Sequence, residues 1–285
     1  MNVAYRFFNI PVEIRSEAPA IAAQIEALFA EFADISGEAA KLTYVVDCAS
    51  DCGGHAILRD GERIRVIPEG VSAMLALEDT LMADFVREVP GMLFLHAAVL
   101  AKAGSAILFP GPSGAGKSTL SLALASRGWM YLSDEVAPVG ETDLRVHPFP
   151  RGIKLRAASF ELFPSLRERG GTQHADRQFL RLRELPVTLA DGCFEVQSLV
   201  FPQYRPGAQP RLTPLPRAIA ACILTQCCLS FDRENGGTFL TIERLVKSAS
   251  CFRFEVGEIG ESCEVIEAFH AGRGVANSSL QCLTN

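Results

Sequence analysis

Between Phe109 and Leu120 the chain reads Gly111-Pro112-Ser113-Gly114-Ala115-Gly116-Lys117-Ser118-Thr119. The first eight residues have the spacing G-x-x-x-x-G-K-[ST] of a phosphate-binding loop. Glycine lets main-chain N–H groups approach an anion closely, and a helix starting near Lys117 adds its positive dipole end. Lys117 then supplies a point charge for the β- and γ-phosphates of a nucleotide, and the Ser118 hydroxyl a ligand for magnesium. Gly111 to Thr119 is therefore the expected nucleotide-binding segment. Asp134 and Glu135 follow the apolar run Trp129-Met130-Tyr131-Leu132. The carboxyl end of a strand beside a phosphate loop is where an α/β nucleotide site places its metal ligand or its general base. Both carboxylates are candidates for both roles, with Ser118 as a further magnesium ligand.

Other groups could join them. His96 stands alone as a titratable side chain in the dense apolar run Met92 to Ala101. Arg145-Val146-His147-Pro148-Phe149-Pro150-Arg151-Gly152-Ile153-Lys154 is held extended by its prolines and presents His147, Arg151 and Lys154, cations suited to a transferring phosphoryl group. A surface crossing with solvated charges would leave the same pattern. Cys48, Cys52 and His55 lie close together, but their spacing fits no zinc pattern.

The elements that must position these groups are legible in outline. Val3 to Ile14 reads as strand, with Pro11 marking an edge or bulge. Pro19 opens a helix to Phe32 with Ile21, Ile25, Leu28, Phe29 and Phe32 on one face. Strands follow at Leu42–Val46, His55–Arg59 and Arg63–Ile67, then a helix from Val71 to Val89 with Leu75, Leu77, Leu81 and Phe85 inward. Pro90-Gly91 ends it, so residues 1–90 form a small α+β domain available for substrate recognition, and residues 91–285 a nucleotide-binding domain. In the second half, Ser165 to Gln178 reads as a mobile loop, with Arg177, Arg181 and Arg183 at its end. Ser198–Gln203 reads as a strand and Pro216–Leu229 as a helix with Ile219, Ile223, Leu224 and Cys227 inward. Phe239–Ala249 and Cys263–Ala271 read as helices around a strand at Cys251–Val256, and the tail from Gly272 has weak periodicity.

Composition bounds the rest. Of 285 residues 48% are hydrophobic and 21% charged, an ordinary globular balance. A net charge of −6 argues against nonspecific binding to nucleic acid or to an anionic membrane. No apolar run reaches the roughly 18 residues of a membrane span, and the N-terminus lacks the pattern of a secretory signal. Nine scattered cysteines without a disulfide framework suit a reducing compartment, and the expected location is the cytoplasm.

Taken together, Phe94-Leu95-His96-Ala97-Ala98-Val99, the glycine-rich segment and Leu132-Ser133-Asp134-Glu135, in that order, make residues 90 to 270 resemble the catalytic domain of the HPr kinase/phosphorylase family. The likeness is to its HPr kinase-related branch. The resemblance implies an α/β phosphate-loop kinase domain of the type shared with phosphoenolpyruvate carboxykinases, preceded by the small α+β domain. It places His96 near the reacting phosphate, Lys117 on it, Ser118 on magnesium, and Asp134 and Glu135 in the metal and base roles. It also makes a homo-oligomer plausible. The family's paired aspartates are Asp-Glu here, and its glycine-rich signature for phosphorolysis is missing, which favours kinase over phosphorylase activity. The expected function is an ATP- and magnesium-dependent kinase acting on a hydroxyl, a serine of a small protein or peptide, with Arg151 or Lys154 stabilising charge. No guanine-reading N/T-K-x-D segment occurs, which leans toward ATP. The alternatives are a small-metabolite kinase and a nucleotide-dependent binding protein with little turnover.

Overall fold

A computed structural model describes residues 3–49, 53–166, 172–174, 177–229 and 237–272. The fold is mixed α/β, with a five-stranded, a nine-stranded and a three-stranded sheet. The first sheet runs Val3–Phe7, Ile10–Ser16, Leu42–Ala49, Gly54–Arg59, Glu62–Ile67 in chain order. The stretch expected as one strand from Val3 is a hairpin, because Phe8 and Asn9 both take left-handed conformations (φ 49° and 67°) and close a two-residue turn. Asn tolerates that region and Phe rarely does, so the turn leaves little trace in sequence. Pro11 consequently sits in an internal strand, near its start, where its carbonyl accepts from Lys41 N–H at 2.8 Å.

Helix Pro19–Phe29 buries Ile21, Ile25, Leu28 and Phe29 as its periodicity requires, and one 3₁₀ turn, Ala30–Phe32, extends it. Helix Ala73–Glu88 is capped by the Ser72 hydroxyl and buries Leu77, Leu81 and Phe85, but Leu75 is exposed. Aromatic rings join this first unit to the second half of the chain. Phe8 stacks on Phe149 with centroids 5.5 Å apart and meets Phe94 edge-on at 5.3 Å, while Phe7 lies 6.1 Å from Phe149. Phe94, Val136, Phe149 and Phe179 thus belong to the same core as the first sheet.

In the large sheet, Met92–Lys102 is central. It pairs antiparallel with Ser105–Pro110 on one edge; on the other lie Met130–Ser133 and then Val136–Gly140, both antiparallel. Ser133 stands opposite Val99 and Val136 opposite His96, so Asp134-Glu135 interrupts what is otherwise one long strand. A register shift between Val99 and Leu100 precedes the break, a bulge of the kind that re-aims side chains. Beyond Ser105–Pro110 lies Phe194–Tyr204, parallel to it, and then Ser250–Val256, parallel to Phe194–Tyr204. Both faces of Met92–Lys102 are covered, which explains its unbroken apolar sequence. Leu93, Leu95, Ala97 and Val99 share a core with Leu224 and Ile242 of helices Arg217–Gln226 and Gly237–Ser248; Ala98 and Leu100 share another with Leu120 and Leu124 of helix Lys117–Ala125.

Several expectations change. Part of the expected mobile loop is ordered sheet: Thr172–His174 and Arg177–Leu180 pair antiparallel, and the latter pairs with Ile153–Arg156. Residues 167–171, 175 and 176 of that loop lie outside the described residues. Helix Arg217–Gln226 ends before Leu229 and turns Ala220 and Leu224 inward, leaving Ile219 exposed. The last helix starts earlier than expected, at Ile259, where Glu258 caps it. The tail from residue 273 is outside the described residues. Among the described residues no helix is long and apolar enough to cross a membrane.

Gly152 shows how tightly the units fit. Its N–H donates to Leu28 O at 2.7 Å, and an added Cβ would stand 2.2 Å from Ala27 O and 2.6 Å from Leu180 O. Gly152→Ala must push the chain beside Arg151 off the first helix. Its expected effect is a loss of about 1–3 kcal/mol, the usual range for overpacking, read as a lower urea midpoint.

Candidate functional site

Strand Ser105–Pro110 delivers the chain to the glycine-rich loop, and helix Lys117–Ala125 leaves it. Gly114 and Gly116 adopt φ of 89° and 93°, which an L side chain rarely takes. Gly116 is the N-cap; no side chain caps the helix and no acid lies in its first turn, so its positive end is left uncompensated. Ser118 is half-buried in that first turn, and Thr119 Oγ1 lies 3.1 Å from Ser159 Oγ. Pro112, Ser113 and Gly114 are exposed while Ala115 is buried, so the loop has a solvent-facing rim and a packed base.

Lys117 folds back into the loop. Its Nζ donates to Gly111 O at 2.7 Å and to Pro112 O at 3.1 Å, and it stands 3.0 Å from His96 Nε2. Burial pulls this amine below the ordinary lysine value, while the charges of Glu135 and Asp134 act to raise it. His96 reaches it because it shares the strand face of Ala98 and Leu100, which packs against the loop's helix. The same Nε2 lies 3.2 Å from Glu135 Oε1. Without a proton it accepts from the ammonium; with one it donates to the carboxylate.

The acids are held from behind. Ser133 Oγ accepts from the N–H groups of Glu135 and Val136, shaping the break in the strand. Asp134 is fully buried, and its Oδ1 accepts from the Tyr131 hydroxyl at 3.1 Å and lies 3.5 Å from Arg151 Nη2. Burial, then the Asp134 charge, pushes the Tyr131 hydroxyl well up, so it stays a donor. Glu135 is partly exposed, and its Oε2 accepts from Arg151 Nη2 at 3.0 Å. Burial acts to raise the Glu135 pKa, but the His96 hydrogen bond and the charges of Arg151 and Lys154 outweigh it and hold the carboxyl far below its usual range.

Arg151 is 2% exposed. Its other nitrogen, Nη1, donates to Glu78 Oε1 at 2.8 Å, and Glu78 Oε2 accepts from Lys154 Nζ at 2.5 Å. Burial alone would weaken the Arg151 charge; Asp134, Glu78 and Glu135 more than offset that and keep it protonated. A continuous polar chain therefore runs Lys117, His96, Glu135, Arg151, Glu78, Lys154. Phe149 N–H donating to Leu132 O at 3.0 Å, with the Gly152 contact to the first helix, sets Arg151 beside the acids.

The structure thus brings together His96, Lys117, Asp134, Glu135, Arg151 and Lys154 from four separate stretches. His147 is not among them; its peptide N–H donates to Pro138 O, and its side chain joins none of these pairs. Arg181 pairs with Glu26 instead. Glu78 and Tyr131 are members that sequence reasoning missed. Glu78 did leave a signal: with Met74, Leu81 and Phe85 it falls on the helix's apolar stripe, where a charge requires a partner.

The donor set suits magnesium. Asp134 Oδ2 is buried without a hydrogen-bond partner, an orphaned acceptor that calls for a cation or a donor. The Ser118 hydroxyl and the Glu135 carboxylate are hard oxygen donors of the kind magnesium takes, together with phosphate oxygens and water. Among the described residues no group of three or more His, Cys, Asp or Glu forms a metal cage. Cys48 and His55 do stand opposite each other on adjacent strands; Cys52 lies outside the described residues. No protein-family model and no curated protein matches the chain.

Two measurements check this electrostatic picture. Arg151→Met strands buried carboxylates and should lose about 3–5 kcal/mol of stability in urea denaturation. Because the folded-state pKa of Glu135 is depressed, its contribution is complete above the unfolded value of about 4.3 and is lost as pH falls below it. The stability gap between wild type and Glu135→Gln should hold steady near neutral pH and close in acid.

Proposed function

We propose that the protein is an ATP- and magnesium-dependent kinase that transfers the γ-phosphoryl group to a hydroxyl, a serine of a small protein or peptide. One observation carries the reading: the Lys117 ammonium sits inside a glycine-rich loop and is joined through His96 to an acidic pair. Phosphoryl transfer asks for that arrangement, a cationic cradle for the phosphates with a carboxylate nearby to take the hydroxyl proton. The loop N–H groups and Lys117 would bind the triphosphate, Lys117 exchanging its carbonyl partners for phosphate oxygens. Ser118 and Glu135 would hold magnesium, which when bound supplies charge neutralisation on those oxygens.

Asp134 is the proposed proton acceptor. Both oxygens of Glu135 are engaged and its pKa is low, which makes it a weak base, whereas Asp134 Oδ2 is unpaired. Asp134 is buried, so the acceptor hydroxyl reaches it only when the site rearranges around the incoming groups; catalytic contacts commonly tighten only in the loaded complex. Arg151 then faces a site gaining negative charge and stabilises it as one of the fixed dipoles and charges around the transfer.

The test is transfer from radiolabelled ATP to candidate serine-bearing peptides. Lys117→Ala should weaken ATP binding and abolish transfer. Asp134→Asn should lower the rate about 10²- to 10⁴-fold, the usual worth of a general base, with ATP affinity little changed. Transfer at the wild-type rate by Asp134→Asn would remove Asp134 from the mechanism, and ATP binding undiminished in Lys117→Ala would remove the loop.

A further inference from the structure

We infer that Tyr204 is the platform on which the base of the bound nucleotide stacks, an inference that rests on the phosphate-loop reading above. The loop strand Ser105–Pro110 has different neighbours on its two edges. On one side, across Met92–Lys102, lie Asp134 and Glu135. On the other runs Phe194–Tyr204, parallel to the loop strand, so both strands end at the same rim of the sheet. That rim is where open α/β sheets take their ligands. A triphosphate whose terminal group faces the acids must leave the loop over the opposite flank, and its sugar and base emerge above the end of Phe194–Tyr204.

That end is built against the loop. Pro202 and Tyr204 are two residues apart, so they share one face of the strand. A Cβ on Gly111 would lie 3.9 Å from Pro202, and one on Gly116 would lie 3.6 Å from Tyr204 Cβ. Pro202 is buried under the start of the loop; Tyr204, beside its last glycine, is 53% exposed. The backbone beneath that ring is fixed: Tyr204 pairs in register with Val256, and Arg205 N–H donates to Val256 O at 2.9 Å. The neighbouring Arg205 is occupied with Gln203 and Glu255. An exposed tyrosine ring on a rigid strand end offers a flat surface at small entropic loss, which is what a purine base uses.

Stacking engages the π face and reads no hydrogen-bond pattern, so the platform distinguishes a nucleotide from bare polyphosphate and discriminates weakly between ATP and GTP. Titration calorimetry with wild type, Tyr204→Ala and Tyr204→Phe, each against magnesium ATP and magnesium tripolyphosphate, separates the possibilities. Tyr204→Ala should weaken ATP about 5- to 150-fold, the range of one base–aromatic stack, and leave tripolyphosphate unchanged, which also shows that the loop is intact. Tyr204→Phe should bind ATP within about twofold of wild type, since the ring face is retained. Wild-type ATP affinity in Tyr204→Ala overturns the platform, as does an equal loss for tripolyphosphate, which would make Tyr204 a support for the loop. Wild-type protein that binds neither ligand overturns the phosphate-loop reading itself.

Discussion

Two ionised carboxylates can share a water-poor site when a cation is held against them, and here that cation is the buried guanidinium of Arg151. Its fork reaches Glu78 with one nitrogen and Glu135 and Asp134 with the other. Desolvating these charges is expensive, and their attraction repays it only where geometry is good and further hydrogen bonds satisfy the remaining atoms. Tyr131, His96 and Lys154 provide several of those bonds. Arg151 Nε and Asp134 Oδ2 remain unpaired, so the cluster is incomplete at the carboxylate that the proposed chemistry would use.

The position of Arg151 depends in turn on contacts far along the chain. Phe149 inserts among Phe7, Phe8 and Phe32 of the first unit, and Gly152 lies against the carbonyl of Ala27 with no room for a side chain. Glu78 comes from a helix of the first unit whose opposite end is fixed by Asp84, paired with Tyr44 and Arg59. The shared aromatic core therefore does more than stabilise. It brings a carboxylate from residues before 90 to cations after 150, so a change in the first unit is felt directly in the electrostatics around Glu135.

Around Lys117 the balance is different. Its ammonium is satisfied by loop carbonyls rather than by an ion pair, and burial lowers its pKa. A group held by neutral carbonyls can exchange them for a stronger anionic acceptor without breaking a salt bridge. His96 stands between the two regimes, with one nitrogen in reach of both the amine and the acid.

Much of this was legible in the chain itself. The spacing from Gly111 to Ser118, the apolar strand before it and the helix after it are local facts, set by backbone conformations and residue types a few positions apart, and the same holds for the paired acids and for the stripes of the first two helices. Glu78 carried a readable mark, a charge on an apolar stripe, but no local rule names its partner. The hairpin at Phe8-Asn9 was hidden because its turn uses a residue that disfavours it. Which cations meet which carboxylates, the role of Tyr131, the closeness of Pro202 and Tyr204 to the loop and the burial of Arg151 were decided only by tertiary structure. Apart from the Tyr131–Asp134 bond, which spans three positions, those contacts join residues well separated along the chain, and the interactions that place them, aromatic packing and buried charge pairing, depend on distance in space and have no period along the sequence.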